Sequence, residues 1–129
     1  MIAADTNFLV RVLVDDPTSP AQCKRARQAV LDESGIYVPQ VVQIELIWVL
    51  DKGLGLPRAE LLSVLTHLRE NEAFVLQRKE MFVDALSLFK STAAEFADCV
   101  ILVESRAMDA ELATFDKKLG RLPGTRLVV

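Results

Sequence analysis

Apolar positions in this chain follow two patterns that alternate along its length. Short runs at Ile2–Ala4, Ile36–Val38, Ala73–Leu76, Leu112–Thr114 and Leu127–Val129 suit buried strands. Between them, apolar residues recur at spacings of three and four. That periodicity predicts helices over Thr6–Val14, Pro20–Glu33, Gln40–Lys52, Arg58–Glu70, Glu80–Ser91 and Phe96–Met108. Pro17, Pro20, Pro39, Gly53, Gly55, Pro57, Pro123 and Gly124 punctuate the connections. Parallel strands need crossover connections, so strands alternating with helices predict an α/β fold. The expected architecture is one domain over residues 1–129, with a mainly parallel central sheet of about five strands flanked by helices.

Ligands of open parallel sheets bind beyond the carboxyl ends of the strands. Asp5 closes the first strand there, and Asp116 follows the fourth. Each also has a plain structural reading: Asp5-Thr6-Asn7 can be a polar turn that caps the next helix, and Asp116 beside Lys117 and Lys118 can be a solvated cap. Glu45 has Val41, Val42, Trp48 and Val49 at three and four residues, so burial on that face would cost several kcal/mol without a compensating partner. Taken alone it reads equally as a snorkelling or ion-paired side chain. Asp98, between Phe96-Ala97 and Ile101-Leu102, can favour a helix start through capping and the helix dipole. Jointly the four acids gain force. If Asp5 and Asp116 emerge at one end of the sheet, helices starting there can bring Glu45 and Asp98 toward them. Such a cluster demands a cation, and oxygen-only ligation selects Mg2+ or Mn2+.

Composition narrows the alternatives. With 129 residues and 51% apolar side chains the chain can build a real core, and its net charge of -3 argues against a broadly basic nucleic-acid binder. The longest uncharged stretch, Ser34–Ile44, is well short of the roughly 20 apolar residues that cross a bilayer. The start, Met1-Ile2-Ala3-Ala4-Asp5, lacks the marks of a signal peptide, so a cytoplasmic protein without a membrane segment is expected. Cys23 and Cys99 form no C-x-x-C pair and are read as reduced, packed thiols. His67 is the one histidine and reads as a surface helix position, which leaves zinc and Ser-His-Asp chemistry little support.

Asp5-Thr6-Asn7, followed by Phe8-Leu9-Val10-Arg11-Val12-Leu13-Val14-Asp15-Asp16-Pro17, resembles the opening of VapC-type PIN domains. The likeness runs through Glu45 in its apolar helix, Phe96-Ala97-Asp98 and Thr114-Phe115-Asp116. It implies metal-binding acids at Asp5 and Asp98, with Glu45 and Asp116 completing the site directly or through water. Thr6, Asn7 and Thr114 would orient ligands or water. Glu95 stands where the family often has Asp and is an auxiliary acid; Cys99 replaces a small apolar position. Arg11, Lys117 and Lys118 are candidates for phosphate contact, and equally for solvated surface charge.

The activity implied is Mg2+- or Mn2+-dependent hydrolysis of RNA by the toxin of a toxin–antitoxin pair, restrained by a cognate antitoxin and assembled as a homodimer. A mean hydropathy of +0.27 is consistent with apolar surface covered by partners. A non-catalytic PIN-like module holding a structural ion or a partner is the competing reading. A phosphoacceptor receiver would carry an Asp after the third strand, where Ala73-Phe74-Val75-Leu76-Gln77 has none. A haloacid-dehalogenase-type phosphatase would have Asp in place of Asn7.

Overall fold

The computed structural model describes Met1–Val129, which gather into two compact units, Met1–Lys79 and Glu80–Val129. The first unit contains β1 (Ile2–Ala3), α1 (Thr6–Leu13), α2 (Pro20–Val30), β2 (Ile36–Val38), α3 (Gln40–Trp48), α4 (Arg58–Glu70) and β3 (Phe74–Leu76). Its strands form a parallel sheet in the order β1-β2-β3, with Ile36 opposite both Ile2 and Phe74. Being central, β2 buries Ile36 and Val38 and takes ladder bonds on both sides. Leu9, Leu46, Leu65 and Leu68, one from each of α1, α3 and two from α4, are fully buried.

The second unit contains most of α5 (Lys79–Ser91), with α6 (Phe96–Ala107), β4 (Leu112–Thr114) and β5 (Thr125–Leu127). Its two strands pair in parallel, Leu112 opposite Thr125. Phe96 meets Phe82 and Phe89 edge to face, at ring-centroid distances of 5.9 and 5.8 Å, which joins α5 to the first turn of α6.

The α/β architecture with all strands parallel is the one the apolar pattern predicts, and its five strands divide into ladders of three and two. Differences lie at element ends. The last strand occupies Thr125–Leu127 rather than Leu127–Val129, because Gly124, at φ +88, turns the chain so that pairing begins with Leu112 N donating to Gly124 O at 2.9 Å. The third helix is α-helical only to Trp48 and continues as a π-helical turn over Val49–Gly53, with Leu54 N reaching back to Val49 O at 3.0 Å. Cys23 and Cys99 are buried and His67 is exposed, as the sequence suggests. No helix is long and apolar enough to cross a membrane.

The parallel register sets the carboxyl ends of three strands along one edge of the first unit, where Asp5, Gln40 and Gln77 follow β1, β2 and β3. The start of α3 is fixed here by a glutamine network. Pro39 precedes the helix without a side-chain cap, and Gln77 Oε1 instead accepts from Gln40 N at 2.8 Å. Gln43, only 1% exposed, donates from Nε2 to Val38 O at 3.1 Å and to Gln77 O at 2.9 Å. Arg78, left-handed at φ 50, donates to Gln40 Oε1 at 2.6 Å. A buried amide that satisfies two strand-end carbonyls orients α3, and therefore Glu45, against the sheet. We expect Gln43→Leu to cost about 1–3 kcal/mol, the range for stranding buried polar groups. Urea denaturation checks this; a change below about 0.5 kcal/mol, the usual range for a surface substitution, would remove the network from the account.

Candidate metal centre

Each unit presents its own pair of the acids singled out in the sequence. In the first, Asp5 leaves β1 in an extended conformation and caps α1, its Oδ1 accepting from Phe8 N at 2.8 Å. Thr6 is the next residue, and its Oγ1 donates to Glu45 Oε1 at 3.2 Å, which ties α1 to α3. Asn7 is exposed and lines, with Asp5, Arg11, Gln22 and Arg25, a cavity of about 350 Å³.

Of the two readings open for Glu45, burial on the apolar face or a side chain at its edge, the structure shows the second. Glu45 is exposed, and two of the four apolar neighbours, Val41 and Trp48, are exposed with it at 62% each. The helix is apolar nearly all round, so composition alone could not tell its core side from its open side. The buried side is set by Val42, Gln43, Leu46 and Ile47. Arg11 is also more committed than a free phosphate ligand would be. Its Nη1 lies 3.0 Å from Asp16 Oδ2, and its Nε donates to Gln22 Oε1 at 3.1 Å. Hydrogen bonds from the Thr18 side chain and backbone, followed by the Arg11 charge, hold the Asp16 carboxyl below its usual range.

In the second unit, Glu95 precedes α6 and Asp98 lies in its first turn. Asp98 is therefore not the cap, although the helix N-terminus favours its charge. Asp116 follows β4, and its Oδ1 accepts from Lys118 N at 2.8 Å and Leu119 N at 3.1 Å, capping the 3-10 turn Leu119–Arg121. Thr114 Oγ1 accepts from Asp116 N at 3.0 Å, which holds the backbone that carries this acid. Glu95, Asp98, Asp116, Lys118 and Arg121 line one cavity of about 610 Å³. Burial raises the Asp98 carboxyl above the ordinary 3.8, and the charges of Glu95 and then Asp116 raise it further.

Within neither unit do three or more His, Cys, Asp or Glu side chains already stand in a ready metal-binding group. The donor set still fits a hard divalent cation. It is oxygen-only, and it contains a carboxylate whose ionised form its surroundings disfavour. Lys118 and Arg121 supply positive groups of the kind that contact phosphate, beside acids of the kind that hold a cation. Arg121 was not singled out by sequence reasoning, although its spacing of three from Lys118 places both on one 3-10 turn.

The PIN domain family model matches residues 2–124. A VapC ribonuclease of Aquifex aeolicus (strain VF5) is 26% identical over 88 residues, 67% of this chain and 65% of that protein. The match thus spans slightly less than two thirds of the relative's own length.

The raised Asp98 carboxyl fixes a sign for pH dependence. Above pH 3.8 the unfolded chain gives up this proton more readily than the folded one, so Asp98 subtracts stability from the metal-free protein as pH rises through its folded titration. In a carboxyl-carbon NMR titration without metal, the Asp98 midpoint is expected above 3.8, and Glu95→Gln should lower it more than Asp116→Asn. An Asp98 midpoint at or below 3.8, unmoved by either substitution, would show that these charges do not act on it.

Proposed function

The chain belongs to the PIN domain family, and on that premise we propose that it is a Mg2+- or Mn2+-dependent endoribonuclease, the cytoplasmic toxin of a VapBC-type toxin–antitoxin pair. The observation that carries this reading is the cavity in which Glu95, Asp98 and Asp116 stand with Lys118 and Arg121. Acids that need a cation beside cations that suit phosphate are the requirements of metal-assisted phosphodiester hydrolysis. A bound divalent ion would supply charge for the phosphate oxygens and make a water more acidic. Asp5 and Asp98 are proposed as metal-binding acids, each in its own unit, with Glu45 and Asp116 contributing directly or through water, and all four serve one activity. Thr6 keeps Glu45 in place through its hydroxyl, and Thr114 keeps Asp116 in place through the backbone. Asn7 and Glu95 are auxiliary polar groups. Water adds to phosphorus, one ester P–O bond breaks, and the departing sugar oxygen takes up a proton.

An antitoxin and a second copy of the chain are the proposed protein partners. Val41 and Trp48 support this, because they leave apolar surface open on both sides of the acidic Glu45. A partner with apolar side chains and one basic group would suit that face. Capping by Asp5 and Asp116 favours a second reading, a non-catalytic PIN-like module, since both acids already have structural work.

Protein stripped of any co-purifying partner and incubated with assorted RNAs separates the two. Cleavage is expected only with Mg2+ or Mn2+, and Asp5→Asn or Asp98→Asn should each slow it on the order of 10²–10³-fold, the range for losing one preorganised electrostatic group. Cleavage at the wild-type rate by both variants would contradict the site, and no cleavage of any RNA by the wild type would favour the module.

A further inference from the structure

We propose that Phe115 is a stacking platform for an unpaired nucleobase of single-stranded RNA, an inference that rests on the ribonuclease reading above. Of the six phenylalanines, Phe74, Phe82, Phe89 and Phe96 are buried and Phe8 is half-buried, whereas Phe115 is 82% exposed. A phenylalanine ring can bury about 150–250 Å² of surface, so one left in water at a fixed position invites a flat apolar ligand.

The position is fixed by the residues on either side. Thr114 is the last residue of β4, its carbonyl accepting from Val128 N at 2.8 Å. Asp116 is held by its own cap and by Gly120 N, which donates to Asp116 O at 2.9 Å. The backbone that carries the ring is therefore pinned before and after it, and stacking a base on it orders little that is not ordered already.

Charge selects the ligand. The chain as a whole carries -3, yet Lys117, Lys118 and Arg121 follow Phe115 within six residues against Asp116 alone. An aromatic face with cations alongside is what single-stranded nucleic acid uses, bases on the ring and phosphates on the cations. A duplex keeps its bases stacked on each other and offers the ring nothing comparable. Asp116 lines the cavity of acids and is the next residue in the chain, so a base held by Phe115 brings its strand to that cavity. Stacking reads no hydrogen-bond pattern, so this contact distinguishes unpaired from paired RNA rather than one base from another.

The test is the affinity of a labelled 12-nucleotide single-stranded RNA, alone and annealed to its complement, in an Asp98→Asn background with Mg2+ so that the probe survives. Phe115→Ala should weaken single-strand binding about tenfold and leave duplex binding unchanged. Phe115→Trp should restore it, and Phe115→Leu, apolar but without a ring face, should not. Rescue by Leu, or equal affinity in the Ala variant, overturns the proposal, and so does an Ala variant that changes only the oligomeric state seen by light scattering. If Phe115→Ala in the otherwise native chain cleaves single-stranded RNA at the wild-type rate, stacking fails while the ribonuclease reading stands. A wild-type protein that neither binds nor cleaves RNA brings down that reading and this inference with it.

Discussion

Carboxylates held near one another in a half-buried pocket cannot all stay ionised unless positive charge comes in. Asp98 lives under this constraint. Burial, Glu95 and Asp116 all disfavour its charge, and the cavity they line also holds Lys118 and Arg121. A structural carboxylate would be expected to have its charge compensated by the fold itself, as Asp16 does through Thr18 and Arg11. The contrast between these two aspartates is the physical basis for the proposal that Asp98 holds a cation. The rest of the account, from metal to phosphate to RNA, depends on that assignment.

Two other acids combine duties that are often treated as alternatives. Asp5 caps α1 and Asp116 caps a 3-10 turn, each through Oδ1. An ionised carboxylate has about four acceptor sites, so a cap that uses one or two leaves capacity for a metal or a water. Capping also fixes the side chain before any ligand arrives, which lowers the ordering cost of binding. Thr6 adds the link from the Asp5 turn to Glu45, and the glutamine network at the ends of β2 and β3 sets the helix that carries Glu45. Asp5 and Glu45 are thus positioned by hydrogen bonds rather than by ion pairs.

Much of the fold is legible in the apolar pattern, for reasons that particular elements make clear. The helix Arg58–Glu70 has the bounds its periodicity predicts, because Pro57 opens it and Asn71 closes it with chemistry written locally. The last strand is displaced because hydropathy points to Leu127–Val129, whereas pairing starts where Gly124 turns the backbone. The π-helical turn after Trp48 leaves no trace in periodicity, since one extra residue per turn does not disturb a segment that is apolar on most sides. The burial of Glu45 stays open in the sequence for the same reason: a helix this apolar hides which face is open. Of the candidate site, the acids' positions at strand and helix ends and the candidate cation Lys118 were readable, and Arg121 was not. Lys118 and Arg121 become neighbours of Asp98 only through the turn that Asp116 caps.

The central claim, that Asp98 belongs to a divalent-cation site, is tested most directly by titrating the purified protein with Mn2+ in the absence of RNA and following free Mn2+ by electron paramagnetic resonance. The account predicts saturable binding by the wild type that is lost or greatly weakened in Asp98→Asn. Binding of the same strength and stoichiometry in both proteins would contradict it.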